Sequence, residues 1–277
     1  MANAYDINGN LIDSGGSSGG SSINYDAIMK AINHRGYNTE APENTIPAFK
    51  MSKRKGFNFV ETDVQFTSDA VAVLIHDTTI NRTARNSDGS SVGSSDIYVS
   101  NLTYEQLLQY DFGIWKGEQW AGTKIPRFDD FITLCKNINL CPYIELKAGT
   151  EAQIQGLIDT VKNNSIFESV TWISFNSTRL TYVKNYEGLA RIGYLCDYAT
   201  DTDIATAQTL KTNNNEVFIN SGTRTAEAVQ RCITAELPME VYTLDVANQI
   251  TALDPYITGV TSNILNAGKV LYNANIN

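Results

Sequence analysis

The sequence predicts an α/β protein, a (β/α)8 TIM barrel, and three observations support this prediction. A chain of 277 residues with 42% apolar side chains is long and apolar enough for one barrel-sized domain with a large core. Short β-rich runs alternate with longer amphipathic stretches from Tyr25 onward. Eight such pairs occur, and strict alternation of strand and helix indicates parallel strands joined by right-handed crossovers. A doubly wound open sheet is the alternative.

The predicted elements follow each other in a regular order along the chain. The strand candidates are Ala31–His34, Phe59–Val64, Pro142–Lys147, Val170–Phe175, Arg191–Cys196, Glu216–Ser221, Met239–Leu244 and Gly259–Asn263. The helical candidates are Thr45–Lys55, Arg127–Asn137, Glu151–Asn163, Ser177–Tyr186, Asp203–Thr212, Thr225–Glu236, Val246–Leu253 and a last short one, Leu265–Tyr272. We take the strands as the inner barrel and the helices as the outer ring.

One segment interrupts the alternation after the second strand. The β-like run Val71–His76 follows that strand after only the six residues 65–70, whereas a parallel crossover needs about a dozen residues. We therefore predict that this run is the return arm of a hairpin. The next stretch, about 77–125, is rich in Asn, Ser, Gly and Tyr, and a connection of that length is usually functional. We expect this insertion to cover the catalytic face of the barrel.

The N-terminal segment, residues 1–24, differs in composition from the domain at 25–277. Residues 14–22 are glycine and serine only, so we predict a flexible leader or linker. It lacks the basic and apolar regions of a signal peptide. It is either an added or trimmed leader or a natural tether to a larger upstream protein. The compartment stays open between the cytoplasm and export as part of a longer protein.

Composition and charge exclude several classes of protein. The formal net charge of −9 argues against a binder of duplex nucleic acid, which needs a basic face. No apolar run approaches the roughly 18 residues that span a bilayer, so an integral membrane protein is not expected. The four cysteines lack CxxC spacing and only two histidines are present, which disfavours structural zinc. Buried thiols are predicted, with a Cys135–Cys141 disulfide left open. The oligomeric state is not predicted.

Titratable side chains collect near the carboxyl ends of the predicted strands. His34 and His76 are the whole histidine content, and each ends a β-like run, where barrel chemistry takes place. Glu61 and Asp63 point to the same strand face, and adjacent carboxylates repel each other unless a cation lies between them. Glu145 lies in another strand that is otherwise fit for burial. Three such oxygen donors favour one hard divalent cation, Mg²⁺ or Ca²⁺.

Basic and capping residues flank these candidates. Lys147 shares a strand face with Glu145, so it either forms a salt bridge to that carboxylate or binds an anionic oxygen. Arg35 directly follows the first histidine, and a guanidinium can bind phosphate through two hydrogen bonds. Asn44 or Thr45 is expected to cap the first helix. These residues indicate an anionic ligand at the same barrel end.

Five short motifs occur in order along the first half of the domain. They are His34-Arg35-Gly36, Ala41-Pro42-Glu43-Asn44-Thr45, Val60-Glu61-Thr62-Asp63-Val64-Gln65, Ile75-His76-Asp77 and Ile144-Glu145-Leu146-Lys147. Together they resemble the glycerophosphodiester phosphodiesterase family of the phospholipase C-like phosphodiesterase superfamily. The resemblance is clear from about residue 33 to 147 and weaker beyond. It implies a (β/α)8 barrel with an insertion after the second strand.

The same resemblance implies an activity and a set of site residues. The activity is metal-dependent hydrolysis of glycerophosphodiesters to glycerol 3-phosphate and an alcohol. If the N-terminal segment is a natural tether, a polymeric glycerophosphodiester is a further candidate substrate. The implied residues are Glu61, Asp63 and Glu145 as ligands of one divalent cation, His34 and His76 as acid and base, and Arg35, Lys147, Glu43, Phe175 and Tyr242 around the substrate. We predict His34 as the base and His76 as the acid.

Three departures from the family pattern are visible. Tyr242 stands in Val241-Tyr242-Thr243 where the family usually has tryptophan, and Ala70 stands where glycine often closes the hairpin. The run Val260-Thr261-Ser262-Asn263 replaces a more usual Ile-Thr-Asp ending.

Two other functions stay open, namely a phospholipase-type lyase that releases a cyclic phosphate and a catalytically silent binding module of a larger surface protein.

Overall fold

The computed structural model describes residues 23–276 and, further upstream, the backbone of two short paired strands, Ala4–Tyr5 and Leu11–Ile12. The predicted Gly/Ser-rich run at 14–22, and with it most of the proposed leader or linker at 1–24, lies outside the described residues. The predicted domain at 25–277 is described up to residue 276.

Eight parallel strands close into a barrel. They are β1 (Lys30–Asn33), β2 (Phe59–Phe66), β3 (Cys141–Leu146), β4 (Thr171–Ser174), β5 (Arg191–Cys196), β6 (Val217–Ser221), β7 (Met239–Val241) and β8 (Ile257–Ser262). Each strand pairs with its neighbours in chain order, and β8 pairs with β1. This closure confirms the predicted TIM barrel and shows that the open-sheet alternative is wrong.

Eight helices alternate with these strands, as predicted. They are α1 (Ile46–Arg54), α2 (Phe128–Ile138), α3 (Glu151–Asn163), α4 (Ser177–Tyr186), α5 (Asp201–Thr209), α6 (Ala226–Thr234), α7 (Ala247–Thr251) and α8 (Ala267–Ile276). Threonine side chains cap several of them by accepting a backbone N–H from the first turn. Helix α5 begins before the predicted Asp203 because Thr200 and Asp203 form a reciprocal capping box.

The predicted seventh strand is too long at its carboxyl end. The sequence predicts Met239–Leu244, whereas β7 ends at Val241 and the Tyr242–Thr243 peptide bond is cis. Tyr242 and Thr243, residue types that are common in strands, follow Val241, which is why the pattern alone does not show where the strand ends. The chain turns toward the barrel mouth there, and Leu244 N donates to Thr261 O at 3.0 Å.

A short strand follows β2 and runs in the opposite direction. This return strand, Ala72–Leu74, pairs antiparallel with the end of β2, with Val64 opposite Leu74. Ala70 lies in the connecting turn with a positive φ of 62°. The segment that follows has an apolar cluster of its own, formed by Val73, Ile75, Ile80, Ala84, Val99, Leu107, Phe112 and Ile125. It therefore packs as a separate layer beside the barrel.

The barrel interior contains an apolar layer and, below it, a group of charged side chains. Ile32, Tyr143, Ile173, Leu195 and Phe218 form the apolar layer. At the end where the strands begin lies what we call the amino-end cluster, consisting of Lys30, Tyr143, Arg191 and Glu240. Its Arg191 Nη2 donates to Glu240 Oε1 at 2.8 Å, and the Tyr143 hydroxyl donates to the same oxygen at 3.0 Å. The interior is thus closed at this end and open at the other.

The cysteines and the helices bear on two further predictions. All four cysteines are free thiols; Cys135, Cys196 and Cys232 are buried, and Cys141 is partly buried. The structure therefore has no Cys135–Cys141 disulfide, and burial raises the pKa of the Cys135 thiol.

No helix within residues 23–276 combines the length and the apolar character needed to cross a bilayer.

Candidate active site

Three carboxylates meet where strands β2 and β3 reach the open end of the barrel. Glu61 and Asp63 lie two residues apart on β2, and Asp63 is the register partner of Glu145 on β3. The three side chains offer oxygen atoms that all lie within 4.8 Å of one another. Glu61 and Asp63 are only 3% and 0% exposed. We call these three residues the mouth cluster.

The electrostatics of the mouth cluster favour a positively charged ligand. Burial raises the pKa of Glu61 well above its usual value, and the charges of Asp63 and Glu145 raise it further. Burial and Asp63 also raise the pKa of Glu145 to about 7, although Lys147 acts in the opposite direction. Glu61 Oε1 and Asp63 Oδ1 are buried and have no hydrogen-bond partner. Unpartnered buried carboxylate oxygens are the donor set that a hard divalent cation requires, so these residues fit one.

Two basic side chains border the mouth cluster. Lys147 Nζ lies 3.1 Å from Glu145 Oε1 and 3.8 Å from Asp63 Oδ1. Arg35 Nε lies 3.5 Å from Asp63 Oδ2, and the backbone N–H of Arg35 donates to Glu61 Oε2 at 2.9 Å. Arg35 adopts a positive φ of 53°, which turns the chain directly after β1. Both predicted phosphate-binding residues therefore lie beside the carboxylates.

His34 reaches the same place from the end of β1. Its Nε2 lies 3.9 Å from Glu61 Oε2, and its Nδ1 lies 2.9 Å from Asn263 Oδ1. Burial and the neighbouring charge of Arg35 lower the pKa of His34, although Asp63 and the hydrogen bond to Asn263 act in the opposite direction. The ring is thus held from one side and faces the carboxylates with the other.

His76 approaches from the return strand rather than from a barrel strand. Gln65, on β2, donates through Nε2 to the backbone oxygens of Ile75 and His76, which fixes the chain at this point. The His76 Nδ1 lies 2.7 Å from Asp77 Oδ1. Burial opposes ionisation of Asp77, but hydrogen bonds from Arg82 and His76 outweigh it and lower the pKa of Asp77 to about 2. The hairpin therefore supplies the second histidine with a carboxylate partner.

Glu43 lies behind the histidines and joins two arginines. Arg82 contacts it through two hydrogen bonds of 2.7 Å each, and Arg35 Nη1 donates to its Oε1 at 2.9 Å. Burial opposes ionisation of Glu43, but these guanidinium groups prevail and lower its pKa. Arg82 also contacts Asp77 Oδ2 at 2.6 Å. Glu43 thus connects the β1 loop to the insertion, and it does not line the cavity described below.

Sequence reasoning did not find several polar residues of the site. Asn44 was weighed only as a helix cap, but Thr45 caps α1 and Asn44 instead donates to Asp63 Oδ2 at 2.8 Å. Asn44 adopts a positive φ of 55°, which asparagine tolerates better than most residues. Gln65 was also missed, although a polar side chain in an otherwise buried strand was a usable signal. Arg82 carried no signal in the sequence.

A cavity of about 230 Å³ opens above the mouth cluster. Both histidines, Arg35, Lys147, Glu61 and Glu145 line it, together with Phe175 and Tyr242. The Phe175 and Tyr242 rings meet edge to face with centroids 6.1 Å apart, and the Tyr242 hydroxyl donates to Cys196 O at 3.0 Å. A larger depression of about 730 Å³ lies on the outer surface between α5 and α6 and contains none of these residues. The candidate acid–base and phosphate-binding side chains therefore lie around the smaller cavity.

Comparison with known proteins identifies relatives of this chain. The model of the glycerophosphoryl diester phosphodiesterase family matches residues 34–264. A glycerophosphodiester phosphodiesterase of Caldanaerobacter subterraneus subsp. tengcongensis is 35% identical over 167 residues, which cover 59% of this chain and 65% of that protein. Human glycerophosphodiester phosphodiesterase 1 is 32% identical over 139 residues, which cover 47% of this chain and 37% of that protein. The chain thus spans less than two thirds of the length of these curated relatives.

Solved structures share the barrel. A phosphodiesterase of Oleispira antarctica, in complex with the product sn-glycerol 3-phosphate, superposes with a TM-score of 0.75 at 21% identity and covers 91% of this chain and 98% of that chain. A glycerophosphodiester phosphodiesterase of Agrobacterium tumefaciens gives a TM-score of 0.67 at 22% identity, with coverage of 88% and 99%. At this identity the two structures show the fold alone. Because the family model matches most of its length, the chain belongs to the glycerophosphoryl diester phosphodiesterase family.

Proposed function

We propose that the protein hydrolyses glycerophosphodiesters to glycerol 3-phosphate and an alcohol with the help of one divalent cation. The observation that carries the proposal is that three carboxylates meet at the barrel mouth and that two of them, Glu61 and Glu145, share one cavity with both histidines of the chain. The names of the relatives and the sn-glycerol 3-phosphate bound to the Oleispira antarctica structure support it. An intact set of these groups argues against a catalytically silent module.

Glu61, Asp63 and Glu145 would hold the cation. When bound, Mg²⁺ or Ca²⁺ supplies Lewis acidity to a phosphoryl oxygen. The protein prepares for this ligand by burying Glu61 Oε1 and Asp63 Oδ1 without hydrogen-bond partners. Asn44 holds the other oxygen of Asp63 in place, so this side chain is already oriented. The site therefore needs little rearrangement to accept the ion.

Arg35 and Lys147 would bind the phosphate. The Nε of Arg35 is buried and has no hydrogen-bond partner, so a phosphoryl oxygen at the mouth would satisfy it. Lys147 Nζ, held beside Glu145 and Asp63, lines the same cavity. These two cations would offset negative charge that develops on the phosphoryl oxygens. They also orient the phosphorus between the two histidines.

The hydrogen-bond partners of the histidines support our assignment of the base and the acid. His34 contacts a neutral amide, that of Asn263, which suits a ring that begins neutral and accepts a proton. His76 contacts the Asp77 carboxylate, which compensates the charge of a ring that begins protonated. His34 would take the proton of the nucleophile, either water or the neighbouring glycerol hydroxyl. His76 would then protonate the leaving alkoxide as the phosphorus–oxygen bond breaks.

Phe175 and Tyr242 would contact the organic part of the substrate. They form a continuous wall of the cavity, and Phe175 is 47% exposed, which is unusual for such an apolar ring. Apolar contact there would shield the reacting phosphate from water without selecting strongly among alcohols. The substituent on the phosphate therefore lies outside the charged part of the site.

The proposal is tested by turnover of glycerophosphocholine with added Mg²⁺ or Ca²⁺. We expect His34→Ala and His76→Ala each to reduce kcat by about 10²–10⁴-fold, the usual contribution of acid–base catalysis. Gln208→Ala, in the outer depression between α5 and α6, is the matched control and should keep full activity. Wild-type turnover in both histidine variants, or activity that persists in chelator without added metal, would contradict the proposal.

A further inference from the structure

A chain of hydrogen bonds leads to His34 from the ends of the neighbouring strands β7 and β8. It begins at Asp245, in the loop after β7, and passes through Asn263, at the end of β8. Asn263 Nδ2 donates to Asp245 Oδ2 at 2.6 Å, and the Asn263 backbone N–H donates to Asp245 Oδ1 at 2.7 Å. Asn263 Oδ1 then lies 2.9 Å from His34 Nδ1. Three neighbouring loops are thus joined at the histidine.

The Asp245 carboxylate determines which way the Asn263 amide faces. An ionised carboxylate only accepts hydrogen bonds, so Asn263 must direct its NH2 group toward Asp245 and its oxygen toward His34. Asn38 Nδ2 donates to the same Asn263 oxygen and to the backbone oxygen of His34, which is consistent with this orientation. The atom that faces His34 Nδ1 is therefore an acceptor. His34 Nδ1 must be the donor in this contact.

The consequence concerns the other ring nitrogen of His34. A neutral imidazole that carries its proton on Nδ1 has its lone pair on Nε2. The Nε2 of His34 faces the mouth cluster, 3.9 Å from Glu61 Oε2. The opposite tautomer would set two lone pairs against each other 2.9 Å apart at Asn263. Its Nε2–H would lie 3.9 Å from Glu61 Oε2, too far for a hydrogen bond that could compensate. The arrangement thus favours one tautomer on geometric grounds.

We propose that Asp245 and Asn263 are positioning residues that hold His34 with Nδ1 protonated and Nε2 free to accept a proton. In the reaction, Nε2 forms a new bond to the proton of the attacking hydroxyl, while the Nδ1–H bond to Asn263 is kept. Only this catalytic task rests on the proposed function, because the tautomer is a property of the protein without substrate or metal. Neither residue of the pair lines the cavity.

Nitrogen-15 NMR tests the tautomer directly. The chain has two histidines, so the His76→Ala variant leaves His34 as the single imidazole signal. At a pH where the ring is neutral, we expect Nδ1 to be protonated and Nε2 unprotonated in the metal-free protein. Adding Asn263→Leu should abolish this preference, and Asp245→Ala should weaken it. A protonated Nε2 in the parent protein, or a tautomer unaffected by both changes, would overturn the proposal.

Kinetics with glycerophosphocholine separate positioning from a merely structural role. Without the His76 change, Asn263→Leu should reduce kcat by about 10- to 100-fold, as losses of orienting partners do, with KM changed less than about threefold. The exposed Asn248→Ala is the matched control and should behave as wild type. Unchanged kcat in Asn263→Leu, with His34→Ala inactive, would overturn the positioning role and leave the proposed function intact.

A reciprocal exchange provides a rescue that does not depend on the leucine variant folding. Asn263→Asp alone sets two carboxylates against each other, so we expect about the same loss of kcat as in the leucine variant. The double variant Asn263→Asp/Asp245→Asn keeps an acceptor for Nδ1 and removes the repulsion by placing a donor behind it, and kcat should return to within about tenfold of wild type. A double variant as impaired as Asn263→Asp would overturn the proposal.

Discussion

The two ends of the barrel interior both contain buried charged side chains, but they differ in how carboxylates and basic side chains are balanced. In the amino-end cluster, the Glu240 carboxylate faces two cations, Arg191 at 2.8 Å and Lys30 at 3.4 Å, and Glu216 pairs with the other side of Arg191. When Glu216, whose side chain is half-exposed, is counted with the amino-end cluster, two carboxylates match two cations there. At the mouth, the set is Glu61, Asp63, Glu145, Glu43 and Asp77 against Arg35, Lys147 and Arg82. The carboxylates there outnumber the basic side chains, and a divalent cation would offset this excess of negative charge.

This difference shows how to separate a structural charge cluster from a binding one. Unpartnered oxygens alone do not separate them, because Glu240 Oε2 is buried without a partner just as Glu61 Oε1 is. The local balance of charge does separate them. Basic side chains match the carboxylates at the amino end, whereas carboxylates outnumber basic side chains at the mouth. We therefore expect changes at the amino end to alter folding and changes at the mouth to alter binding and turnover.

The largest expected effect on stability is at the amino end. Arg191→Met leaves the Glu240 carboxylate buried beside Lys30 and Tyr143 alone, so we expect a loss of about 3–5 kcal/mol in the free energy of unfolding. Urea denaturation measures it. The double variant Arg191→Met/Glu240→Met removes the unpaired charge and should recover most of the loss. If it recovers none, the Arg191–Glu240 pair is not the reason for the destabilisation.

At the mouth, removing a charged side chain is expected to increase the stability of the metal-free protein instead of decreasing it, and the size of this increase depends on pH. The pKa of Glu145 is about 7 in the folded protein against 4.5 for an ordinary glutamate, so between these values the folded state binds more protons than the unfolded state. The stability that this group contributes to the metal-free protein is therefore lost as the pH rises from about 4.5 to 7. The loss is at most about 3 kcal/mol in the free energy of unfolding. Glu145→Gln removes the ionisation.

Urea denaturation in chelator, at pH 5 and pH 8, measures this difference. We expect the free energy of unfolding of the Glu145→Gln protein, measured relative to wild type, to be higher at pH 8 than at pH 5. The reason is that wild type carries a buried charge at pH 8, whereas the glutamine carries none. Comparing the two proteins at each pH cancels the titration of groups that Glu145 does not influence. Glu61 is influenced, since the charge of Glu145 raises its pKa, and losing that charge changes the difference in the same direction. A difference between the proteins that does not change with pH would contradict the raised pKa of Glu145.

A smaller effect is expected where the insertion joins the mouth. Arg82→Gln removes the contacts of the guanidinium with Asp77 and Glu43, so His76 loses the support of its carboxylate partner. We expect kcat to fall about tenfold, within the usual range for loss of an orienting contact. Arg85→Gln is the matched control because Arg85 Nη1 donates to backbone oxygens. Equal activity of both variants would show that the insertion does not position His76.

Local patterns in the sequence predicted the barrel well but the polar contacts poorly. Strands and helices follow from hydrophobic periodicity and threonine caps, which lie within a few residues of one another. The contact of Asn263 with His34 joins residues 229 apart, and that of Arg191 with Glu240 joins residues 49 apart. Such partners are chosen by barrel closure, which no local pattern reports. The carboxylates were found because Glu61 and Asp63 lie two residues apart on one strand.

The central claim is that the mouth cluster binds one divalent cation, and calorimetric titration of the chelator-treated protein tests it most directly. We expect Mg²⁺ or Ca²⁺ to bind with a stoichiometry of about one per chain, with release of protons near pH 7 because Glu61 and Glu145 have raised pKa values. Asp63→Asn should abolish this binding, whereas Glu216→Gln at the amino end should leave it unchanged. Absence of binding by the wild-type protein, or equal binding by Asp63→Asn, would contradict the claim.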